Sequence, residues 1–152
     1  MEFIVDNVEK TFNVGYQLGQ LSNAGDVFCL IGDLGTGKTH ITKGIAKGLA
    51  IDEHITSPTF TIVNEYSGRL TLYHFDVYRV NDPDEIAAIG FDEYIFSDAV
   101  SVIEWSNYIE ELLPEDKVII YIDKLPELGE NFRKIKIQWT SDRFKYIKEL
   151  NI

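Results

Sequence analysis

Residues 32–39 constrain the fold of this chain more than any other segment. They read Gly-Asp-Leu-Gly-Thr-Gly-Lys-Thr and fit the pattern G-x-x-x-x-G-K-[ST] at every fixed position. Glycines at these spacings let the backbone turn its N–H groups inward around phosphate groups. The apolar run Val27–Ile31 precedes the segment and apolar residues at helical spacing follow it, which is the context that the pattern requires. The sequence therefore predicts a phosphate-binding loop, or P-loop, between a buried strand and a helix.

Apolar periodicity along the rest of the chain predicts an α/β protein with a mixed sheet. The short turn Ser67-Gly68-Arg69 joins two strand-like segments and favours an antiparallel hairpin. The alternation in Arg133–Trp139 predicts a half-exposed edge strand. We expect a three-layer P-loop NTPase fold with a mixed, mostly parallel central sheet that includes this hairpin, in a single domain over residues 1–152. The expected strands are 3–5, Val27–Ile31, 60–66, 70–76, 99–103, 118–122 and Arg133–Trp139, and the expected helices are Val8–Leu21, 38–49, 83–89, 108–113 and 142–150.

Charge and cysteine content restrict the classes of function. Twenty-five acidic residues against fourteen basic ones give a formal net charge of -11, whereas proteins that grip nucleic acid by themselves usually carry the opposite sign. The single cysteine, Cys29, lies in an apolar strand and fits a reducing, cytoplasmic environment. The first residues carry acids and lack the basic start of a signal peptide, and no apolar run approaches the length of about 20 residues that spans a bilayer. We therefore expect no membrane association and no broad nucleic-acid surface.

Two carboxylates are candidates for the metal that accompanies a P-loop. Lys38 is expected to reach the β and γ phosphates of a nucleoside triphosphate, and the Thr39 hydroxyl to ligate Mg²⁺. Asp76 and Glu104 each end an apolar strand, at the carboxyl side where open α/β sheets bind ligands. A lone acid at a strand end usually just faces water. Two such acids beside a P-loop favour a role at the metal or at the attacking water.

Other polar and aromatic residues leave two interpretations open. Ser57-Pro58-Thr59 is either a loop that senses the γ phosphate or an ordinary proline turn. His74 is either a base or, more commonly for a strand histidine, a residue with a satisfied hydrogen bond. Trp105 is by its chemistry alone expected to serve packing more than function.

Four segments together resemble the TsaE family, the bacterial ATPases that assist in making threonylcarbamoyladenosine in tRNA. They are the P-loop, Ser57-Pro58-Thr59-Phe60, Tyr73-His74-Phe75-Asp76-Val77-Tyr78-Arg79 and Ile103-Glu104-Trp105. The P-loop by itself is generic, whereas the block around His74 and the Glu-Trp pair are much more specific. Their order and spacing cover most of the chain.

The resemblance implies roles for individual residues. Glu104 would be a magnesium ligand with Thr39, Asp76 a catalytic or water-positioning carboxylate, and Trp105 part of the functional surface. Ser57 and Thr59 would belong to a switch-like loop, and Thr11 and Arg133 match loosely the places around the adenine. His40 departs from the family, which commonly has a hydroxyl residue there. The residues expected to hold ATP are Asp33, Gly35, Thr36, Gly37, Lys38, Thr39, His40, Thr11 and Arg133.

The resemblance also implies partners. TsaE proteins work with TsaB and TsaD, which carry the tRNA-modifying chemistry, so an acidic ATPase would meet tRNA only indirectly through the partner complex. The leading hypothesis is a Mg²⁺-dependent ATPase that is weak alone and stimulated by TsaB–TsaD. A small-molecule kinase is a second possibility on the same fold, although the chain has only four arginines to clamp phosphates. A nucleotide-binding switch without catalysis is the third, and a GTPase is disfavoured because the sequence has no Asn-Lys-x-Asp motif.

Overall fold

The computed structural model describes residues 1–58 and 61–152. Its strands are β1 Glu2–Val5, β2 Val27–Ile31, β3 Val63–Ser67, β4 Thr71–Asp76, β5 Val100–Glu104, β6 Val118–Lys124 and β7 Arg133–Trp139. They form one seven-stranded sheet in the order β1-β7-β6-β2-β5-β4-β3. The neighbours β6, β2, β5 and β4 pair in parallel, whereas β1–β7, β7–β6 and β4–β3 pair antiparallel. The predicted mixed sheet with a hairpin is confirmed.

Helices cover both faces of the sheet, which gives the three predicted layers. The helices are α1 Val8–Leu21, α2 Lys38–Gly48, α3 Pro83–Ala88 and α4 Phe91–Ile95, with 3-10 helices at Ser106–Leu112 and Asp142–Glu149. Apolar side chains of α1, α2 and the C-terminal 3-10 helix form one core with the sheet, and those of α3, α4 and the first 3-10 helix form a second core on the opposite face. Among the described residues, no helix is long and apolar enough to span a bilayer.

Local sequence explains how α1 and α3 begin. The Asn7 side chain accepts a hydrogen bond from the Lys10 amide at 2.8 Å and caps α1. Asp82 caps α3 in the same way through the Asp84 amide. Helix α2 begins at Lys38, directly after Gly37, and has no side-chain cap, so its first amides remain available to another acceptor.

Helices α1 and α2 approach each other closely at four glycines. A Cβ atom added at Gly44 would lie 2.1 Å from the carbonyl oxygen of Phe12, and one at Gly15 would lie 2.2 Å from that of Ile41. Gly19 and Gly48 meet backbone equally closely one turn further along. Only residues without a side chain permit this approach, so the four glycines fix the distance between the helix that follows the P-loop and the N-terminal helix.

Four sequence predictions about elements are corrected. Strand β7 is not an edge strand, because β1 pairs with it on the side opposite β6. Its residues alternate in exposure because one face of the sheet is open to solvent at β7. The prediction attributed this alternation to an open edge. Strand β3 begins at Val63 rather than earlier, because Ile62 has φ +70°, outside the range of a strand; Phe60 of the predicted strand lies outside the described residues.

The other two corrections concern helices. Both C-terminal helical segments are 3-10 rather than α-helical, and the first has a non-helical residue at Ile109. Helix α4 is not among the predicted helices, the third of which ends at residue 89, just before Gly90. With φ +83°, Gly90 is also the residue from which α4 starts.

Candidate functional site

The P-loop lies at the carboxyl end of β2 and wraps around the start of α2. Gly35 and Gly37 have φ +76° and +116°, a backbone region that favours glycine. Gly32 is needed for a different reason, because a Cβ there would lie 2.5 Å from the carbonyl oxygen of Ile122 on β6. The loop therefore presents backbone N–H groups and the uncapped N-terminus of α2 at one place, a combination that suits anions.

The ammonium group of Lys38 points back into the loop. It donates hydrogen bonds to the carbonyl oxygens of Gly32 at 2.5 Å and Asp33 at 2.8 Å, and it lies 4.1 Å from the centre of the Trp105 ring. Burial lowers the pKa of Lys38, and the neighbouring carboxylates of Glu104, Asp76 and Asp33 oppose that shift. The side chain is thus a nearly buried cation among acids and carbonyls, in reach of any anion that enters the loop.

A cleft of about 410 Å³ opens over the loop and collects most of the residues that the sequence singled out. The parallel pairing of β4 with β5 places Asp76 directly opposite Glu104 at the strand ends. The side-chain oxygen Oγ1 of Thr39 lies 3.4 Å from Oε1 of Glu104. The residues that line the cleft are Leu34, Gly35, Gly37, Lys38, Thr39, His40, Ser57, Asp76, Tyr78, Arg79, Glu104 and Trp105.

Asp76 is held by two neighbours. Its Oδ2 accepts a hydrogen bond from the Ser57 hydroxyl at 3.2 Å, and its Oδ1 accepts one from the Tyr78 amide at 3.0 Å. Ser57 is therefore connected to a predicted catalytic residue, whereas Thr59 of the same predicted switch loop lies outside the described residues. The bonds fix the carboxylate at the mouth of the cleft.

Glu104 is almost fully buried, and its second carboxylate oxygen has a partner of its own. Oε2 of Glu104 lies 2.5 Å from Nε2 of His74, a fully buried residue of β4. Of the two interpretations of His74, the structure has the hydrogen-bonded strand histidine, with the acid of the candidate site as its partner.

A second hollow, of about 80 Å³, adjoins the other side of the P-loop. Thr11 from α1 and Arg133 from β7 both line it, together with Thr36, Gly37 and His40. Arg133 also donates a hydrogen bond through Nε to the carbonyl oxygen of Thr36 at 2.7 Å. The two residues assigned loosely from the resemblance are thus brought to the same wall of the loop, although they lie far apart in sequence.

Asp33 does not share this placement. Its side chain is exposed and lines neither the cleft nor the hollow, and its part in the loop is played by its carbonyl oxygen, which accepts from Lys38 and from the Thr36 hydroxyl. The sequence motif specifies residue types but does not show whether a residue such as Asp33 acts through its side chain or through its backbone.

Several lining residues were not assigned a role from the sequence. Tyr78 and Arg79 follow Asp76 and line the cleft, and Asn131 and Val8 line the hollow. The rings of Tyr78, Trp105 and Tyr108 contact one another, with centroids of Tyr78 and Trp105 4.6 Å apart and those of Trp105 and Tyr108 5.5 Å apart. Tyr78 and Arg79 fall in the quoted motif around His74, which was the available signal, whereas Asn131 had none.

The oxygen atoms at the centre of the cleft fit a magnesium ion that also takes ligands from a nucleotide. Thr39 and Glu104 offer a hydroxyl and a carboxylate oxygen close together, and both are ligand types that Mg²⁺ accepts. Within residues 1–58 and 61–152, no cluster of three or more His, Cys, Asp or Glu side chains has the arrangement of a self-sufficient metal site.

Comparison with known proteins identifies the family. The family described as "Threonylcarbamoyl adenosine biosynthesis protein TsaE" matches residues 5–134. Relatives described as "tRNA threonylcarbamoyladenosine biosynthesis protein TsaE" include one from Bacillus subtilis, 41% identical over 94% of this chain and 88% of its own, and one from Treponema pallidum, 42% identical over 90% and 99%. A crystal structure of Bacillus subtilis YdiB superposes with a TM-score of 0.83 at 36% identity and covers 98% of this chain and 91% of its own. The predicted resemblance is confirmed: the chain belongs to the TsaE family of proteins of tRNA threonylcarbamoyladenosine biosynthesis.

Proposed function

We propose that this chain is a Mg²⁺-dependent ATPase that supports threonylcarbamoyladenosine modification of tRNA by acting on a TsaB–TsaD partner complex. The observation that carries the proposal is the convergence on one cleft of the P-loop lysine, the Thr39–Glu104 pair and Asp76. These are the groups that phosphoryl chemistry on a P-loop needs: a cation and backbone amides for the phosphates, oxygen ligands for the metal, and a carboxylate near the reacting water.

Each residue has a task in this proposal. Lys38 exchanges its carbonyl partners for the β and γ phosphates of ATP, and the amides at the start of α2 bind the same group. Thr39 and Glu104 hold Mg²⁺, which neutralises charge on the phosphates when it is bound. Thr11, Arg133 and His40 form the wall against the nucleoside part of ATP.

Asp76 positions the water that attacks the γ phosphorus. Its carboxylate is fixed by the Ser57 hydroxyl and the Tyr78 amide, so it acts as an oriented acceptor at the mouth of the cleft. Attack forms the new P–O bond as the bond from the γ phosphorus to the bridging oxygen breaks, the water gives up one proton by way of the Asp76 carboxylate to the solvent, and ADP and phosphate leave. Asp76→Asn keeps the shape of the side chain but weakens acceptance of the water's hydrogen. We expect this variant to bind ATP nearly as well as the wild type and to lose about 10²-fold or more in turnover.

The cleft opens onto the protein surface, where a partner protein can reach the residues around it. Tyr78 and Tyr108 are exposed at its rim and contact Trp105, and Trp105 in turn contacts the Lys38 ammonium. A partner seated on this rim would touch residues one step removed from the phosphates. TsaB–TsaD is the partner that the family suggests, with tRNA reached only through that complex.

Phosphate release measured with and without TsaB and TsaD tests the proposal. We expect slow release by the isolated chain, stimulation by the partner pair, and loss of both in Lys38→Ala. A parallel assay of tRNA modification by TsaB, TsaD and a threonylcarbamoyl donor should depend on this chain and on ATP. Nucleotide binding without phosphate release under any condition would instead make the chain a binding switch, and transfer of phosphate to a nucleoside would make it a kinase.

A further inference from the structure

The buried histidine of β4 makes one polar contact in the described structure, and that contact is to Glu104. Nε2 of His74 lies 2.5 Å from Oε2 of Glu104, and both side chains are almost completely shielded from solvent. A carboxylate oxygen can only accept, so the ring donates from Nε2. Hydrogen bonds to ionised groups are stronger than neutral ones, and burial removes the competition from water.

The two oxygens of Glu104 are thereby divided between two neighbours. Oε2 is engaged by His74, whereas Oε1 lies 3.4 Å from the Thr39 hydroxyl at the start of α2. The two oxygens of a carboxylate are equivalent, so a half-turn of the Glu104 group restores the same contacts, whereas any intermediate rotation breaks the histidine bond. The histidine therefore fixes the plane of the carboxylate, so that one oxygen faces Thr39 and the cleft.

The second ring nitrogen argues against a purely structural histidine. Nδ1 of His74 is buried and has no hydrogen-bond partner among the described residues. Buried polar atoms are almost always paired, and an exception in a native protein calls for an explanation. A histidine that only filled the core would be better replaced by an apolar residue, whereas one that orients Glu104 needs only Nε2.

We propose that His74 is a positioning residue that orients Glu104 for the metal, an inference that rests on the proposed Mg²⁺ site. Histidine and carboxylate partners behind metal ligands are a general device, and their removal typically lowers metal affinity about 10–100-fold. The strand register supports the assignment. His74 and Glu104 lie on the paired strands β4 and β5, and Asp76, two residues after His74, is the register partner of Glu104.

Three variants separate orientation from packing. His74→Gln retains an N–H donor at nearly the reach of Nε2, and His74→Leu fills the space without a donor. His74→Asn keeps a small polar side chain that does not reach Oε2, so it serves if the leucine variant does not fold. Ser101→Ala is the matched control, because Ser101 is a buried polar residue of β5 whose hydroxyl has no partner among the described residues.

The measurement is metal binding rather than turnover. The affinity of Mn²⁺ for the protein with bound ATP is determined by electron paramagnetic resonance, and the affinity for a fluorescent ATP analogue is determined separately in EDTA. For His74→Leu or His74→Asn we expect a 10–100-fold higher dissociation constant for Mn²⁺ and a metal-free nucleotide affinity within about twofold of the wild type. His74→Gln should recover most of the metal affinity, and Ser101→Ala should match the wild type.

Three results would overturn the inference. They are wild-type Mn²⁺ affinity in a folded His74→Leu or His74→Asn, an equal loss of nucleotide affinity in EDTA, and a His74→Gln as weak as His74→Leu. The first leaves the proposed ATPase intact, because the wild type still binds metal. A wild type that binds ATP without any response to Mg²⁺ or Mn²⁺ would instead remove the proposed metal site itself, and the inference with it.

Discussion

The contact between α1 and α2 predicts that one added methyl group destabilises the protein. Gly44→Ala would place Cβ 2.1 Å from the carbonyl oxygen of Phe12 and 2.8 Å from the amide nitrogen of Tyr16. Both are backbone atoms, so no side-chain rotation relieves the clash. Real Cβ contacts essentially never fall below 3.0 Å, so the first distance must grow by at least 3.0 − 2.1 = 0.9 Å. The helices must therefore separate by roughly 1 Å.

The magnitude is the balance of two effects. Extra methyl groups in a packed region typically cost about 1–3 kcal/mol, and a gap near 1 Å forfeits up to about half of the dispersion energy at the atoms that move apart. Alanine opposes this with about 1 kcal/mol of better helix propensity than glycine. We expect a net loss of about 1–2 kcal/mol in the free energy of unfolding, which for a chain of this size lowers Tm by about 2–8 °C.

Urea denaturation followed by circular dichroism measures the effect. Lys47→Ala on the exposed face of the same helix is the control and should change the free energy of unfolding by less than about 0.5 kcal/mol. ATP affinity measured in parallel should also fall for Gly44→Ala, because α2 carries Lys38 and Thr39. A Gly44→Ala protein as stable as the wild type, or more stable, would refute the view that these glycines set the helix spacing.

Three further predictions follow from buried and site residues. Tyr146→Phe removes the hydroxyl that donates to the fully buried Asp26 carboxylate at 2.6 Å, so the free energy of unfolding should fall by about 1.5–3 kcal/mol. The control Tyr16→Phe loses only an exposed hydrogen bond and should cost less than about 0.5 kcal/mol. Equal effects of the two variants in urea titrations would contradict this prediction. Burial raises the pKa of Cys29 to about 12, so below that pH the folded protein keeps a neutral, shielded thiol. Reaction of Cys29 with a thiol reagent at pH 8 should therefore occur only as fast as the chain unfolds. Rapid labelling of the folded protein would contradict this expectation. Arg133→Ala loses the hydrogen bond to the Thr36 carbonyl and one wall of the smaller hollow. ATP affinity in equilibrium titrations should therefore fall about tenfold, which corresponds to about 1.4 kcal/mol. Unchanged affinity would show that this arginine does not contribute to the nucleotide site.

Most helices and strands were predictable from the sequence because they depend on residues that lie close together along the chain. Strand β2 and helix α1 were predicted from apolar spacing and the hairpin from a glycine turn, and the structure has all three. The strand–loop–helix unit around the P-loop was predictable for the same reason. Each of these depends on interactions within about twenty residues of chain.

Features that depend on distant pairing were not predictable in the same way. One of the two neighbours of β7 is β1, from the opposite end of the chain, and the alternation in Arg133–Trp139 gives no sign of that pairing. The sequence does not reveal the 3-10 geometry of Asp142–Glu149 either, because the apolar spacing of its residues suits an α-helix as well. The partner of His74 could not be derived either, since it required knowing that β4 lies beside β5.

The pairing of β4 with β5 makes the carboxylate pair of the candidate site an all-or-none property of the fold. Asp76 and Glu104 are register partners, and side chains alternate between the two faces of a sheet. A slip of one residue between these strands would send one carboxylate to the opposite face, and a slip of two would separate them along the strands by about 7 Å. A misregistered chain would therefore lack the pair altogether rather than hold it more loosely. ATP turnover in a preparation would consequently count the molecules with the correct β4–β5 register, whereas ATP binding at the P-loop would also include others.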